Sequence, residues 1–409
     1  MITNDAVIFG LLCGVLGFVF WTSGLGGFWR VFYGYVPALL LCYFMPSLFN
    51  SFGLIDVSGS GIYGVVSRYL LPASLIFLTL SVDFKAIGSL GSKAIIMFLA
   101  GSFGVVAGGP LALLLVSWVY PLWVLPVGGT PLWQGLSTIA GSWIGGGANQ
   151  TAMREIFGVN ADLFATMVAV DVLISNLWLA LLLFCASHSQ RIDRWFGADL
   201  GVIEGVKARL LVKHSVCVNP SLSQMMVMLG VVMGLVGLAH FLADVLAPFV
   251  SLNYPFLKKF SLGSTFFWVI VLSTTFGLLL SFSRSAQQME GLGASKLGNI
   301  FLYLLIATIG MQMDVRSIFS HIHFFVIGFV WIIFHALVLV LVGKLIKSPF
   351  FFFAVGSQAN IGGAVSAPIV ASAFDPSLAP VGVLLAILGY GLGTYGAYVC
   401  ALLMRVVVP

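Results

Sequence analysis

Two short segments carry residue types seldom found together in so apolar a chain. Gly141-Ser142-Trp143-Ile144-Gly145-Gly146-Gly147-Ala148-Asn149-Gln150-Thr151 and Gly356-Ser357-Gln358-Ala359-Asn360-Ile361-Gly362-Gly363-Ala364 set glycines beside amides and hydroxyls, with Ser366 close behind the second. Each glycine costs a helix roughly 1 kcal/mol relative to alanine, so both segments are expected to break. In lipid, bare N–H and C=O groups at a break are tolerated only where they line a cavity or meet a ligand. Asn149, Gln150, Thr151, Gln358, Asn360 and Ser366 then make an oxygen shell for a hard monovalent cation. The positive ends of the half-helices near Ser142, Gly146, Gly147, Gly362 and Gly363 suit an anionic solute. Close helix packing through small residues explains the glycines but not the clustered amides.

Asp171 is the second signal. It lies a third of the way into the apolar run 161 to 186, with Asn176 five residues on. A carboxylate at membrane depth costs on the order of 3 kcal/mol, which marks it as a candidate to ligate sodium or carry a proton. The bland alternative is a hydrogen bond to Thr166 or Asn176. His240 and Asp244 stand one helical turn apart, close enough to bond to each other, and read first as structural. His335 reads as a packing histidine. Asp83 and Asp314 read as interfacial anchors beside Lys85 and Arg316. Met225, Met226, Met228 and Met233 read as lipid-facing or packing surface, since copper would want regular spacing with nearby His or Cys. The sequon Asn149-Gln150-Thr151 lies inside an apolar run, out of reach of glycosylation. The chain contains no nucleophile elbow, His-Glu-x-x-His helix, phosphate-binding Gly-Lys-Ser/Thr loop or catalytic carboxylate pair. No enzymatic activity and no organic cofactor are expected, and any transport is expected to draw on an ion gradient, with sodium as the coupling ion.

The elements that must hold these residues follow from composition. Of 409 residues 60% are hydrophobic and 8% charged, and mean hydropathy is +1.11. Soluble domains carry roughly a quarter charged residues, so an ordinary soluble enzyme is excluded. A crossing uses about 20 residues, which allows up to about a dozen. Apolar runs fall near 6–22, 31–48, 62–82, 94–119, 133–153 and 161–186, then near 224–250, 264–283, 297–313, 322–345, 350–373 and 380–404. Between the two sets lies a polar connector with Arg191, Asp193, Arg194, Asp199, Glu204, Lys207, Arg209 and Lys213. The organisation is therefore a first transmembrane repeat, 1–186, a connector, 187–223, and a second repeat, 224–409. The net charge of +5 comes from scattered basic residues, which read as topology signals and not as a nucleic-acid surface. Cysteines at 13, 42, 185, 217 and 400 show no paired spacing. With no basic region ahead of the first run, that run is expected to stay as a span.

The halves share landmarks. Asp83-Phe84-Lys85-Ala86-Ile87 ends the third run and Asp314-Val315-Arg316-Ser317-Ile318 the ninth, and a Gly-rich segment follows two runs later, 58 residues from Asp to Gly-Ser in the first half and 42 in the second. Internal duplication is the economical explanation. The charges add a conflict. In the first half the loops after runs one, three and five hold Arg30, Lys85, Lys93 and Arg154 against Arg68 opposite. In the second, the loops after runs eight, ten and twelve hold Arg284, Lys296, Lys344, Lys347 and Arg405 against Lys258, Lys259 and Arg316. The bias changes sides, so the halves are expected to be oppositely oriented. Twelve single crossings would make them parallel. The count must differ by one, either at the connector and the run after it or through a re-entrant Gly-rich segment.

The two Gly-rich segments and the Asp171 run resemble the uncharacterised membrane family known as domain of unknown function 819, over nearly the whole chain. That family is grouped with sodium/proton antiporters, bile-acid:sodium symporters and sodium:glutamate symporters. The resemblance implies an all-α polytopic membrane protein of two inverted repeats, each of about five to six helices with one Gly-broken helix crossing at mid-membrane, in core and scaffold domains. It implies sodium near Asn149, Gln150, Gln358 and Asn360, with Asp171 similar to the cation-carrying acid of the antiporters. It also implies a homodimer through the scaffold. The chain lacks the antiporters' Asp-Asp pair and intramembrane Lys, and no Glu lies in its second broken segment. The expectation is sodium-coupled symport of a small organic anion by an elevator movement, in the inner membrane of a bacterium. The alternatives are a cation/proton antiporter working through Asp171 and a non-transporting structural or regulatory membrane protein.

Overall fold

In the computed structural model, which describes residues 1–57, 59–210, 220–314 and 321–408, every apolar run is helical. Lys213, Cys217 and the Val315–Ile318 stretch fall outside the described residues. The first half holds α1 (Asp5–Ser23), α2 (Ala38–Ser51), α3 (Ile62–Leu80, with a π turn at Val66–Leu70), α4 (Ser92–Val119), α5 (Leu132–Phe157) and α6 (Ala161–Ala186). The second holds α7 (Leu222–Asn253), α8 (Thr265–Ser281), α9 (Ala294–Gly310), α10 (Phe324–Leu345), α11a (Phe350–Ile361), α11b (Gly363–Phe374) and α12 (Ala379–Val407). Among the described residues seven helices are long and apolar enough to cross a bilayer, and an eighth span forms if α8 is joined to Arg284–Gly291 across a 97° bend. The chain is a multi-pass integral membrane protein. Its outer faces are apolar in keeping: Val227, Phe241, Val245 and Phe249 of α7 are exposed, although Met228, Val232 and Val236 pack on Ala73, Ile76 and Phe77 of α3.

The Gly-rich segments break as expected, yet they do not cross. In α5 one residue, Gly146, leaves the helix with φ 73° and ψ −173°, and the chain doubles back. A side chain on Gly141 would lie 2.5 Å from Asn149 O, and the Trp133 and Phe157 rings, at opposite ends of the sequence segment, stack edge-on at 5.2 Å. A straight helix would hold those two about 36 Å apart. The second segment does the same: Gly363 takes φ 61°, Gln358 donates to Ser366 Oγ at 2.8 Å, and the Phe351 and Phe374 rings meet at 5.4 Å. Each is a helical hairpin, entering and leaving at one end. The expectation of broken helices that cross is corrected on this point. A reversal needs a residue tolerant of positive φ, and only glycine accepts it without strain.

The hairpins enter from opposite ends of the bundle. The base of α5 adjoins the start of α6, through a Val159-Asn160 link in which Asn160 caps α6 by accepting from Leu163 N at 2.8 Å. The base of α11 lies at the other end, where the connector returns from α6. Asp193 accepts from Phe350 N at 2.7 Å, and Lys207 pairs with Asp375 just beyond α11b. The Lys207 ammonium and the Ser377 hydroxyl hold the Asp375 carboxyl well below the usual carboxylate range, at about 2. Partial burial pushes the Asp193 carboxyl up, against the opposing Phe350 N–H. The connector is thus strapped to both ends of one hairpin.

Helices at equivalent places in the two halves run antiparallel. Phe77, near the end of α3, packs on Gly298 and Phe301 near the start of α9, whereas Tyr63 at the start of α3 and Gln312 beyond the end of α9 share Arg154. In α4 and α10, Met97 lies by Gly343, Gly104 by His335 and Gly108 by Trp331.

Two outcomes are expected. In a chain whose own cysteines are replaced, Leu125→Cys and Ala161→Cys flank the first hairpin and are labelled by an impermeant maleimide from the same side of the membrane. Labelling from opposite sides would show a crossing. Asp375→Asn releases the 201–210 helix, so trypsin cuts after Lys207 faster than in the unaltered protein.

Candidate functional site

Near both breaks a buried asparagine amide binds helix carbonyls of its own arm and of a neighbouring helix. Asn149 Nδ2 donates to Gly145 O at 2.8 Å and to Tyr390 O of α12 at 3.2 Å, and its Oδ1 accepts from Thr394 Oγ1 at 2.5 Å. Asn360 repeats this arrangement. Its Nδ2 donates to Gly356 O and Phe98 O, each at 2.9 Å, and its Oδ1 accepts from Ser102 Oγ at 2.7 Å. Both asparagines are fully buried. Each clamps its own helix, four residues back, to a partner helix offering a carbonyl at one position, glycine three residues on and a hydroxyl four on. The partner sequences are Tyr390-x-x-Gly393-Thr394 and Phe98-x-x-Gly101-Ser102. The glycines are required by the close approach: a side chain on Gly393 would meet Gly145 Cα at 2.5 Å, and one on Gly101 would meet Asn360 Nδ2 at 2.8 Å. The geometry pairs Gly145–Asn149 with Gly356–Asn360, four residues out of step with the Gly-Ser match seen in the sequence.

Asp171 faces the first hairpin. It is 4% exposed and accepts from Ser142 Oγ at 2.6 Å, Trp143 Nε1 at 2.7 Å, Gln150 Nε2 at 3.1 Å and Ser175 Oγ at 3.1 Å. The donors are neutral, two from each oxygen's side, and they draw both arms of the hairpin onto α6. Neither neighbour considered from sequence takes part: Thr166 donates to Asp162 O and Asn176 to Val172 O. Thr151 Oγ1 is spent on Gly147 O. Asn176 and Thr151 therefore bond within their own helices and do not join the Asp171 cluster.

The second hairpin has its own polar chain. Trp178 Nε1, seven residues beyond Asp171, donates to Ser357 Oγ at 2.8 Å, and that hydroxyl lies 2.7 Å from His335 Nε2. His335 Nδ1 is 3.0 Å from Gly101 O, an acceptor only, so Nδ1 carries the proton and Ser357 donates to Nε2. His335 is the satisfied packing histidine expected. Gln358 differs from every residue above. It is 1% exposed, its Nε2 is used on Ser366, and its Oε1 is buried with no donor. Leaving such an oxygen unpaired costs about 1–3 kcal/mol, which a cation would recover. The partly exposed glycines of the tips, Gly146, Gly147, Gly362 and Gly363, offer backbone to whatever enters between them.

The remaining candidates are placed elsewhere. His240 Nε2 lies 2.8 Å from Arg68 O in the π turn, not on Asp244, and both line a cleft of about 790 Å³ with Tyr69, Ser264 and Thr265. Asp83 caps a short helix by accepting from Ala86 N at 2.9 Å, and Asp314 accepts from Ser51 Oγ at 3.1 Å. Arg154, counted from sequence as a loop charge, is instead buried at 6% exposure on the returning arm of α5. No spacing rule marks it, because its partners Tyr63 and Gln312 are 91 and 158 residues away.

The clamps carry a mutational contrast. Gly393→Ala forces apart two backbones and is expected to destabilise by about 2 kcal/mol or more, whereas Gly234→Ala, facing open space on α7, is neutral or stabilises by up to about 1 kcal/mol. Asn149→Ala and Asn360→Ala each remove the three hydrogen bonds of a buried side chain and lower the melting temperature. Thermal unfolding in detergent reads all four.

Comparison with known sequences agrees with the architecture. The chain is 24% identical, over 358 residues and 85% of each chain, to the uncharacterised membrane protein YjcL of Bacillus subtilis strain 168. The family model described as protein of unknown function DUF819 matches residues 10–407. Over essentially its whole length, therefore, this chain belongs to the DUF819 family of membrane proteins.

Proposed function

We propose that this protein is a secondary transporter that couples sodium entry to uptake of a small organic anion, the hairpin-bearing helices moving against α3, α7, α8 and α9. One observation carries the reading: two hairpins enter the bundle from opposite ends and meet the same helix, α6, the first with its break beside the buried Asp171 and the second through Ser357 and Trp178. A site approached from both ends by separate gates is what alternating access needs. Irregular backbone at such a depth, tolerated only around a cavity or ligand, supports the same conclusion. The orphan Gln358 Oε1 supports a cation at the second tip, and the Asp171 carboxylate supports one at the first. An inverted pair of repeats accounts for the antiparallel equivalents, and a relative from a bacterium supports residence in a bacterial cytoplasmic membrane.

Asp171 also favours a second reading, exchange of a cation for a proton. Its four neutral donors and the lack of a basic partner suit a group that holds a cation more than one that alternates with a proton, which puts symport first.

Sodium chloride is expected to raise the melting temperature of purified protein above that in equimolar choline chloride, by mass action on the folded state. Asp171→Asn and Gln358→Ala should each lose most of that difference. In proteoliposomes an inward sodium gradient should drive uptake of labelled succinate or glutamate. Proton movement without any organic solute would establish the antiporter instead. Unchanged melting and no flux with either would leave a structural or regulatory protein.

A further inference from the structure

The Arg154 guanidinium is buried without a full set of partners. Its Nη1 donates to Tyr63 Oη at 2.9 Å and its Nη2 to Gln312 Oε1 at 3.0 Å, both neutral acceptors, and its Nε is buried with no acceptor at all. Among the described residues the carboxylate within 4 Å is that of Glu155, at 3.7 Å, too far for a hydrogen bond. The group lies over the rings of Tyr63 at 4.9 Å and Phe164 at 5.3 Å. Phe164 also meets Tyr43 edge-on, at 6.0 Å, and the Tyr43 hydroxyl, beside Thr151, is a second buried donor with no acceptor in full hydrogen-bonding geometry. A buried cation needs a paired anion, and a guanidinium edge matches a carboxylate by two parallel N–H bonds. Two unused donors on one aromatic plate, in a seam between the first hairpin and the ends of α3 and α9, are arranged for the same guest.

We propose that Arg154 and Tyr43 form the carboxylate-binding site of this transporter: Arg154 Nε and one Nη grip the carboxylate, and the Tyr43 hydroxyl donates a third hydrogen bond. The inference rests on the transporter reading and names its substrate class, small organic carboxylates. It places recognition on a side chain of the hairpin arm instead of the helix ends at the glycine tips. Gln312 and Tyr63 hold the guanidinium while the site is empty. A guest that takes over one of their bonds also loosens the hairpin from α3 and α9.

The test is a melting comparison of the full chain in sodium acetate, sodium succinate and sodium chloride at matched sodium, with choline chloride added to the acetate and chloride arms to equal the ionic strength of the succinate arm. The unaltered protein should melt higher in acetate or succinate than in chloride, by about 2 °C or more. Arg154→Gln should abolish the difference, and Arg154→Lys, which keeps the charge but lacks the fork, should remove most of it. A purely bracing arginine would lower stability equally in all three salts. Tyr43→Phe, which leaves the guanidinium in place, should shrink the difference and serves where the Arg154 variants do not fold. A carboxylate effect that survives Arg154→Gln, or its absence from the unaltered protein, overturns the proposal. If the sodium-over-choline difference persists in that case, the transporter reading stands without this site. Loss of both overturns the two together.

Discussion

Hydrocarbon offers no partner to an unpaired amide, and the architecture around the two breaks answers that constraint. A reversal of direction inside a bilayer exposes carbonyls that water would otherwise satisfy. Here the irregular backbone is confined to one or two glycines per hairpin, and close to it Asn149 and Asn360 donate to the carbonyls of Gly145 and Gly356 in their own arms. The same amides reach a neighbouring helix, so bracing the arm near its break and docking the hairpin are one interaction. That docking is possible only because Gly393 and Gly101 present no side chain. Amide, glycine and hydroxyl form a unit, and either clamp fails if one part changes.

Much of this is readable in the amino-acid sequence, and the rest is hidden for identifiable reasons. Hydrophobic runs mark helices because lipid demands them, so all twelve runs are helical, the run from 161 to 186 to the residue. Asp171 stood out because a carboxylate is costly where it lies. Fold-back is one of two resolutions the basic residues leave open, and the run itself does not choose it: Leu132–Phe157 has the length of a crossing, and nothing in 26 residues of apolar pattern separates one long helix from two short ones side by side. The Gly-Ser match misled the register because glycine recurs every few residues in both segments. Arg154 looked like a loop charge because a basic residue near a run's end normally is one, and its aromatic surroundings come from α2, α3 and α6.

The conflict between helix count and charge bias disappears with the hairpins. An element that returns to its own side contributes no crossing, leaving five other apolar helices in each half. Were all five in each half to pass, direction would reverse between the halves, which fits the change of side in the basic residues. The antiparallel courses of α3 against α9 and α4 against α10 are the local expression of that reversal, and they set one hairpin at each end of the bundle.

How tightly the hairpin-bearing helices are held to the others bears on whether they can move. Asn149 is joined through Thr394 to Thr274 of α8 at 3.1 Å, Thr275 meets Tyr395 at 2.8 Å, and Tyr398 donates to Phe260 O. These are hydroxyl contacts, each of which exchanges partners at a net cost of about 1 kcal/mol. Arg154 differs, since its charge is buried and its contacts with Tyr63 and Gln312 cannot be given up without another acceptor. In the proposed transport cycle, a sliding movement at this seam would wait on whatever satisfies the guanidinium. In that sense an anion bound at Arg154 would be both cargo and release.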